Sequence, residues 1–495
     1  MSDFGRKALL GSLTTAAGSL GGFAGRFVIN AIIARHLDAV DFGQFALAMV
    51  SAELLGMVAS FSFPQTLLQL GDEHEHIVGT VLWMSVALAL ALFAGALVMW
   101  PFVSDAYGDV VGSCFVAMVG SRLVASVAET LVGAQQRRYA YHSAALTQLV
   151  GVIVAALAAL WLAVSHPSPW ALVVRDAGPA LVVVVALGTF MLRREGARAL
   201  RFDRGTAREV WQLSKALFLN RAFEIAYNRV DSLVVGTALG ERALGFYQQA
   251  RYLAGLPSAA VAPVAGVVGL RTLSALHDDP RRQGRAFQLT QFAITRMLMV
   301  FAIGAAVAGD LATRVVLGPG WEPTGHLLQL FTPWLVVYPV AQNYKIMLIA
   351  IRRFPPIFWA TGVSAAILAA CAVPLALWLD STGLVLGNLV AVIAYLWIKV
   401  VATPPHLAVE ASTYVPTAIA GAGAVAAGWG LRLALAGPLD GWWPVVVGLV
   451  GGYVVFAALT LLLERGRLKA ELSYVLNIVR SRRQPTPSAE GNGEK

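Results

Sequence analysis

Arg221, Glu224, Asn228 and Asp231 recur at steps of three, four and three residues, which sets all four on one stripe of a helix. Lys215 and Arg229 form a second edge of that helix, about a third of a turn away. The segment that carries them is one of a long series of apolar runs, so these groups lie at bilayer depth. A full charge in hydrocarbon is costly unless it faces a bundle interior or a water-filled path, and such residues are candidate sites by default. Arg26, Glu53, Arg122 with Glu129, Arg251 and Arg296 stand in the same position in other runs. Gln248, Arg251 and Tyr252 share one helical face, a hydrogen-bonding surface suited to sugar hydroxyls or phosphate oxygens. The set is net positive, which fits an anionic ligand. Arginine suits phosphate because its planar fork makes paired hydrogen bonds and stays charged when desolvated.

Not every charge reads the same way. Arg175 and Asp176 near one membrane edge, and Lys215 and Lys345 near the other, are expected to snorkel to the headgroups. Arg122–Glu129 and Arg221–Glu224 each admit two readings, a buried structural pair or a site. Arg26, Arg251 and Arg296 have no partner within their own helices and are the foremost cavity candidates. The candidate ligand-binding set is therefore Arg26, Arg122, Arg251, Arg296, Arg221 and Gln248. Glu53, Glu129, Glu224 or Asp231 could bind a coupling proton or sodium ion. No phosphate-binding glycine loop, His/Cys cluster or serine elbow is evident, so neither a catalytic nor a metal set is assigned. The close acid pairs Asp38/Asp41 and Asp105/Asp109 read as helix-end solvation, and Cys114 and Cys371 fall in different runs.

The elements that must position these groups follow from composition. Of 495 residues, 58% are hydrophobic and 13% charged, with a mean hydropathy of +0.68, which excludes the ordinary soluble class. The net charge of +9 does not indicate nucleic acid, because the basic residues lie in short loops between spans. Apolar runs near 9–35, 41–70, 77–101, 109–135, 140–165 and 169–192 predict six spans. Six more lie near 211–239, 243–270, 286–311, 324–350, 355–379 and 382–402, and two near 413–436 and 443–463. The expected fold is an all-α polytopic membrane protein of about 14 helices. Its parts are a first lobe (1–192), an Arg-rich linker (193–210), a second lobe (211–403), a C-terminal pair (404–464), and an amphipathic helix with a disordered tail (465–495). The stretch from Leu37 through Gly43 and Phe45 to Ala48 reads against Leu239, Gly245, Tyr247 and Ala250 at one offset of 202 residues. Six spans is an even number, so the lobes would be parallel repeats. Connections expected inside hold 24 Lys and Arg against 4 outside (Arg35, Arg242, Arg314 and Arg432), which places both termini in the cytoplasm.

Gly25-Arg26-Phe27 through Ala34-Arg35-His36-Leu37, then Asp41-Phe42-Gly43-Gln44-Phe45, resemble the opening of polysaccharide-biosynthesis flippases of the Wzx type. So do Asn228-Arg229-Val230-Asp231-Ser232 through Leu239-Gly240, then Leu244-Gly245-Phe246-Tyr247, Pro257 and the Leu317-Gly318 to Trp321 segment. The superfamily also holds the lipid II flippase and multidrug extruders. The resemblance implies two six-helix lobes around a cavity that opens alternately to either side. It implies, as cargo, an oligosaccharide on polyprenyl pyrophosphate, turned from the inner to the outer leaflet of the bacterial cytoplasmic membrane. It further implies Arg26, Arg122, Arg251 and Arg296 as cavity residues, a polymerase and glycosyltransferases as pathway partners, and no cofactor. Two other readings stand beside it. A cation-coupled drug extruder would want an acidic cavity, and a membrane glycosyltransferase would want acids in sizeable outward loops.

Overall fold

The computed structural model describes residues 24–57, 63, 67, 76–137, 141–196, 200–263, 273, 279–438 and 441–481. Every regular element among them is helical. In chain order the first six are α1 (Ala24–Ile33), α2 (Ala39–Met57), α3 (Ile77–Tyr107), α4 (Asp109–Arg137), α5 (Tyr141–Ser165) and α6 (Trp170–Glu195). Then come α7 (Arg204–Val234, continued by a π-helical turn Val235–Leu239), α8 (Glu241–Pro263), α9 (Pro280–Val316), α10 (Glu322–Leu330) and α11 (Thr332–Ala350). The chain continues through α12 (Pro355–Val401), α13 (Val415–Leu435) and α14 (Trp443–Ser481).

Local chemistry sets several boundaries. The Asp38 carboxylate accepts from the backbone N–H of Val40 at 2.9 Å and of Asp41 at 3.0 Å, opening α2. The Asp203 carboxylate accepts from Thr206 N at 2.6 Å, so α7 begins inside the expected Arg-rich linker rather than at 211. The hydrogen bonds from Thr206 hold the Asp203 carboxyl below its ordinary value. Asp279 caps α9, with Pro280 at its first turn, where a missing N–H costs nothing.

Among the described residues, nine helices are long and apolar enough to cross a membrane. The difference from the expected count has physical causes. The helix α12 holds two expected spans, separated at Leu379 and Asp380, where Asp380 takes φ 51°. The expected span 324–350 is split at Phe331 into α10 and α11, and the polar stripe of α7 lowers its hydropathy. The last helix, α14, runs unbroken through Ser481, so the expected separate amphipathic helix is instead a continuation of the final span. Residues 482–495 lie outside the described set. Side chains such as Trp378 (84% exposed), Leu462 and Phe102 form an apolar outer surface, as a bilayer solvent requires.

The two halves meet where α2 crosses α8. A Cβ at Gly43 would overlap the carbonyl oxygen of Glu241, and one at Gly245 would overlap the carbonyl oxygen of Ala39. Residues 43 and 245, like 39 and 241, are separated by the repeat offset, so each contact is the image of the other. Reciprocal pairing of this kind is the mark of a two-fold relation. Small residues matter here because helices in lipid associate through close packing rather than through the hydrophobic effect.

Candidate functional site

The carboxylate of Glu53, on α2, is gripped by two arginines. Its Oε1 accepts from Arg122 Nη2 (α4) at 2.6 Å and from Arg229 Nη2 (α7) at 3.0 Å. Its Oε2 accepts from Arg229 Nε, so Arg229 presents its fork to both oxygens. Arg122 stands at the middle of α4, and its side chain is 48% exposed. At mid-span an exposed charge requires water rather than lipid around it. The partner of Arg122 is thus Glu53 on another helix, while Glu129 lies exposed further along α4.

A second group surrounds Asp231, which is fully buried on α7. Its Oδ2 accepts from the Arg251 guanidinium, from Tyr247 Oη at 2.6 Å and from Asn388 Nδ2 at 3.0 Å. Its Oδ1 accepts from the backbone N–H of Ser232 at 2.7 Å, and Gln248 Nε2 donates to Ser232 Oγ at 2.9 Å. Arg251 and Gln248, expected to face a ligand, are here bonded within the wall between α7, α8 and α12. Asn388 and Ser232 complete this knot. Asn388 was detectable as the lone amide of the run 382–402.

Arg296 is placed elsewhere again. Its guanidinium binds Glu464 on α14, with Nε to Oε2 at 2.9 Å, and sits 3.4 Å from the Phe292 ring centroid. It also donates to Thr413 O at 3.3 Å, and Thr417 Oγ1 donates to Glu464 at 3.1 Å. This pair fastens the C-terminal helices to α9. So does Arg432, which binds Asp310 with Nη1 to Oδ1 at 3.0 Å. Glu464 was missed in the sequence because it falls at the junction between the last expected span and the basic amphipathic helix expected from 465 onward.

Arg26 is exposed on α1, within electrostatic reach of Tyr252. The side chain of Arg221 lies outside the described residues. Glu224 accepts from Lys345 Nζ at 3.2 Å, so Lys345 turns inward rather than snorkelling. Arg175 also turns inward. It donates to Asp176 at 2.7 Å and to Asn30 Oδ1 at 2.5 Å, while Asn30 Nδ2 donates to Gln249 at 3.0 Å. These bonds join α1, α6 and α8. Lys399, expected in an inward connection, is fully buried in α12, donates to Ala341 O at 3.1 Å and lies 3.2 Å from the Tyr395 ring centroid.

The end of the bundle beyond the glycine contact is closed. Trp321 lies edge-on to Phe42 at 5.3 Å and to Phe246 at 5.8 Å between ring centroids, and its Nε1 donates to Ala34 O at 3.0 Å. Arg35 donates to Val315 O beside it. No group of three or more potential metal ligands occurs among the described residues.

The succinoglycan biosynthesis transport protein ExoT of Rhizobium meliloti (strain 1021) is 23% identical over 335 residues, 63% of this chain and 62% of ExoT. The amylovoran biosynthesis protein AmsL of Erwinia amylovora is 28% identical over 112 residues, 23% of this chain and 29% of AmsL. The matches thus span less than two thirds of either relative's length. Among solved structures, lipid II flippase MurJ in an inward closed conformation superposes with a TM-score of 0.71 at 14% identity, over 93% of this chain and 100% of MurJ. A multidrug resistance MATE family transporter of the MOP superfamily, facing inward, gives a TM-score of 0.54 at 15% identity, over 78% of this chain and 93% of its own. At such identities the likeness is one of fold, and it is the fold of a multi-pass, all-helical membrane protein. A family model described as polysaccharide biosynthesis protein matches residues 32–325, more than half of the sequence, and the chain belongs to that family.

Proposed function

We propose that this protein is a flippase that carries a polyprenyl-pyrophosphate-linked oligosaccharide from the inner to the outer leaflet of the bacterial cytoplasmic membrane, by alternating access. One observation carries the reading. Between the two halves, Arg122 and Arg229 share the single carboxylate of Glu53, a net positive group in which the Arg122 side chain, midway along α4, is 48% exposed. A pyrophosphate bears at least two negative charges and its sugars are too polar for lipid, so a wet cationic cleft lowers the barrier while the polyprenyl tail stays in hydrocarbon. A cation extruder would need the opposite sign. Family membership, and the transport role in the name of ExoT, support the same substrate class. A polymerase and glycosyltransferases of one pathway would be its partners, and both termini would lie in the cytoplasm. Coupling to H+ or Na+ would fall on Glu53, Glu129 or Glu224 before Asp231, whose oxygens Arg251, Tyr247 and Asn388 already occupy.

Deletion of the protein tests this. Surface polysaccharide should stop while the lipid-linked repeat unit is completed and accumulates facing the cytoplasm, out of reach of an impermeant glycan-modifying reagent added to spheroplasts. An incomplete glycan would point to a glycosyltransferase, and complete units reaching the outer leaflet unpolymerised would point to a polymerase. Either result rejects the flippase reading.

A further inference from the structure

We propose that Arg122 and Arg229 form the phosphate-binding pair, and that Glu53 is its built-in occupant, displaced when the ligand arrives. The inference rests on the flippase reading and adds how occupancy of the site is sensed. A carboxylate gripped by a guanidinium fork presents the two-oxygen edge that a phosphate presents. Glu53 is held in that manner: Arg229 reaches both oxygens, through Nε and through Nη2 at 3.0 Å, and Arg122 reaches Oε1 at 2.6 Å.

Openness separates this clasp from the two buried arginine–acid pairs of the bundle. In the Arg251–Asp231 pair the side chains are 14% and 0% exposed, and in Arg296–Glu464 they are 12% and 1% exposed. An incoming anion has no path to either without unpacking the wall. Arg122, at 48%, and Arg229, at 24%, are reachable, and Glu53 itself is 16% exposed. The more highly charged phosphate then competes with one carboxylate for the same donors.

Exchange would also move the helices. Glu53 and Arg122 come from the first half of the chain, on α2 and α4, and Arg229 comes from the second half, on α7. With Glu53 in place, α2 is tied to both. Once phosphate occupies the arginines, the tie between α2 and α7 is released, and the contact that joins the halves becomes dependent on cargo. A ligand biases a conformational equilibrium only through such differential contacts. Glu53 supplies the difference.

The test is binding of farnesyl pyrophosphate and of inorganic pyrophosphate to the full chain in lipid nanodiscs, measured by titration calorimetry. If the arginines are free of Glu53 about a tenth of the time, removing the competitor raises apparent affinity about tenfold. Glu53→Gln should therefore bind farnesyl pyrophosphate more tightly than wild type, and Arg122→Gln and Arg229→Gln more weakly. Glu53→Asp keeps the charge on a shorter arm and should fall between wild type and the Gln variant; it decides the matter if the Gln variant does not fold. If neither Glu53 variant binds farnesyl pyrophosphate more tightly than wild type, the exchange is overturned, as it is by binding indifferent to both arginines, and each result leaves the flippase reading standing. Absence of pyrophosphate binding in wild type and in every variant overturns both.

Discussion

The buried arginine pairs make opposite demands from the open one. With Asp231 fully buried and Arg251 nearly so, removing either partner leaves a charge in a low-dielectric wall, at a cost of about 3–5 kcal/mol. Asp231→Asn keeps the shape but removes the charge and turns one acceptor oxygen into an NH2 donor, so it should lower the thermal midpoint of the solubilised protein and its abundance in the membrane. Arg251→Met should do the same. The double variant should recover most of the loss, because a neutral pair needs no counter-charge. Single variants as stable as wild type would return Arg251 to the ligand-binding residues. The sequence showed these charges at depth but not their partners. A stripe on one helix is readable from a 3.6-residue period, whereas Asp231–Arg251, Glu53–Arg229 and Arg296–Glu464 join different helices, some of them far apart in sequence. Hence Arg251 and Arg296, with no acid a turn away in their own helices to pair with, read as cavity residues, while Arg229, part of the open clasp, read only as a second edge.

At the scale of helices, the crossing of α2 and α8 is the contact that the proposed alternating access would have to separate. Any side chain at Gly43 or Gly245 meets the backbone of Glu241 or Ala39, and backbone cannot turn aside as a flexible side chain can. Gly43→Val and Gly245→Val should each hold this end apart and stop polysaccharide export, to a similar degree since the two contacts are images. Gly95, in α3, has open space where its Cβ would be, so Gly95→Ala is the control and should export normally. Crosslinking cysteines placed at positions 40 and 242 should fall in efficiency in the valine variants, reporting the separation directly. Unchanged crosslinking and export in both would show that the contact is not a gate. The repeat offset was visible in the sequence, and so were nearly all helices, because apolar length is a strong signal. What periodicity could not show was continuity. The turn at Leu379 and Asp380 interrupts what is written as one helix, while α14 passes without a break from an apolar to a basic sequence.

For the whole molecule, orientation in the membrane is the property on which the direction of transport depends. The closed end holds Gly43, Gly245 and Trp321, and the charge bias of the connections would put that end outside. The burial of Lys399 removes one residue from the inward count, which leaves the asymmetry large. The chain would then be closed to the outside, with α7 entering from the cytoplasm behind Arg201, Arg204 and Arg208. Such a state is the one in which cargo from the inner leaflet would first meet Arg122 and Arg229. Reporter fusions test the assignment without any knowledge of the cargo. Those after Arg138, Gly205, Gln283 and Arg483 should report cytoplasm, and those after Gly108 and Trp321 the outside. The fusion after Gly205 is the most telling, because it falls in the first turn of α7, between the two halves of the chain. A periplasmic signal there, or after Arg483, would mean an odd number of crossings in at least one part. With an odd first half, as the Gly205 signal would show, the halves would be inverted rather than parallel, and the Glu241 and Ala39 contacts could no longer be images about an axis along the membrane normal.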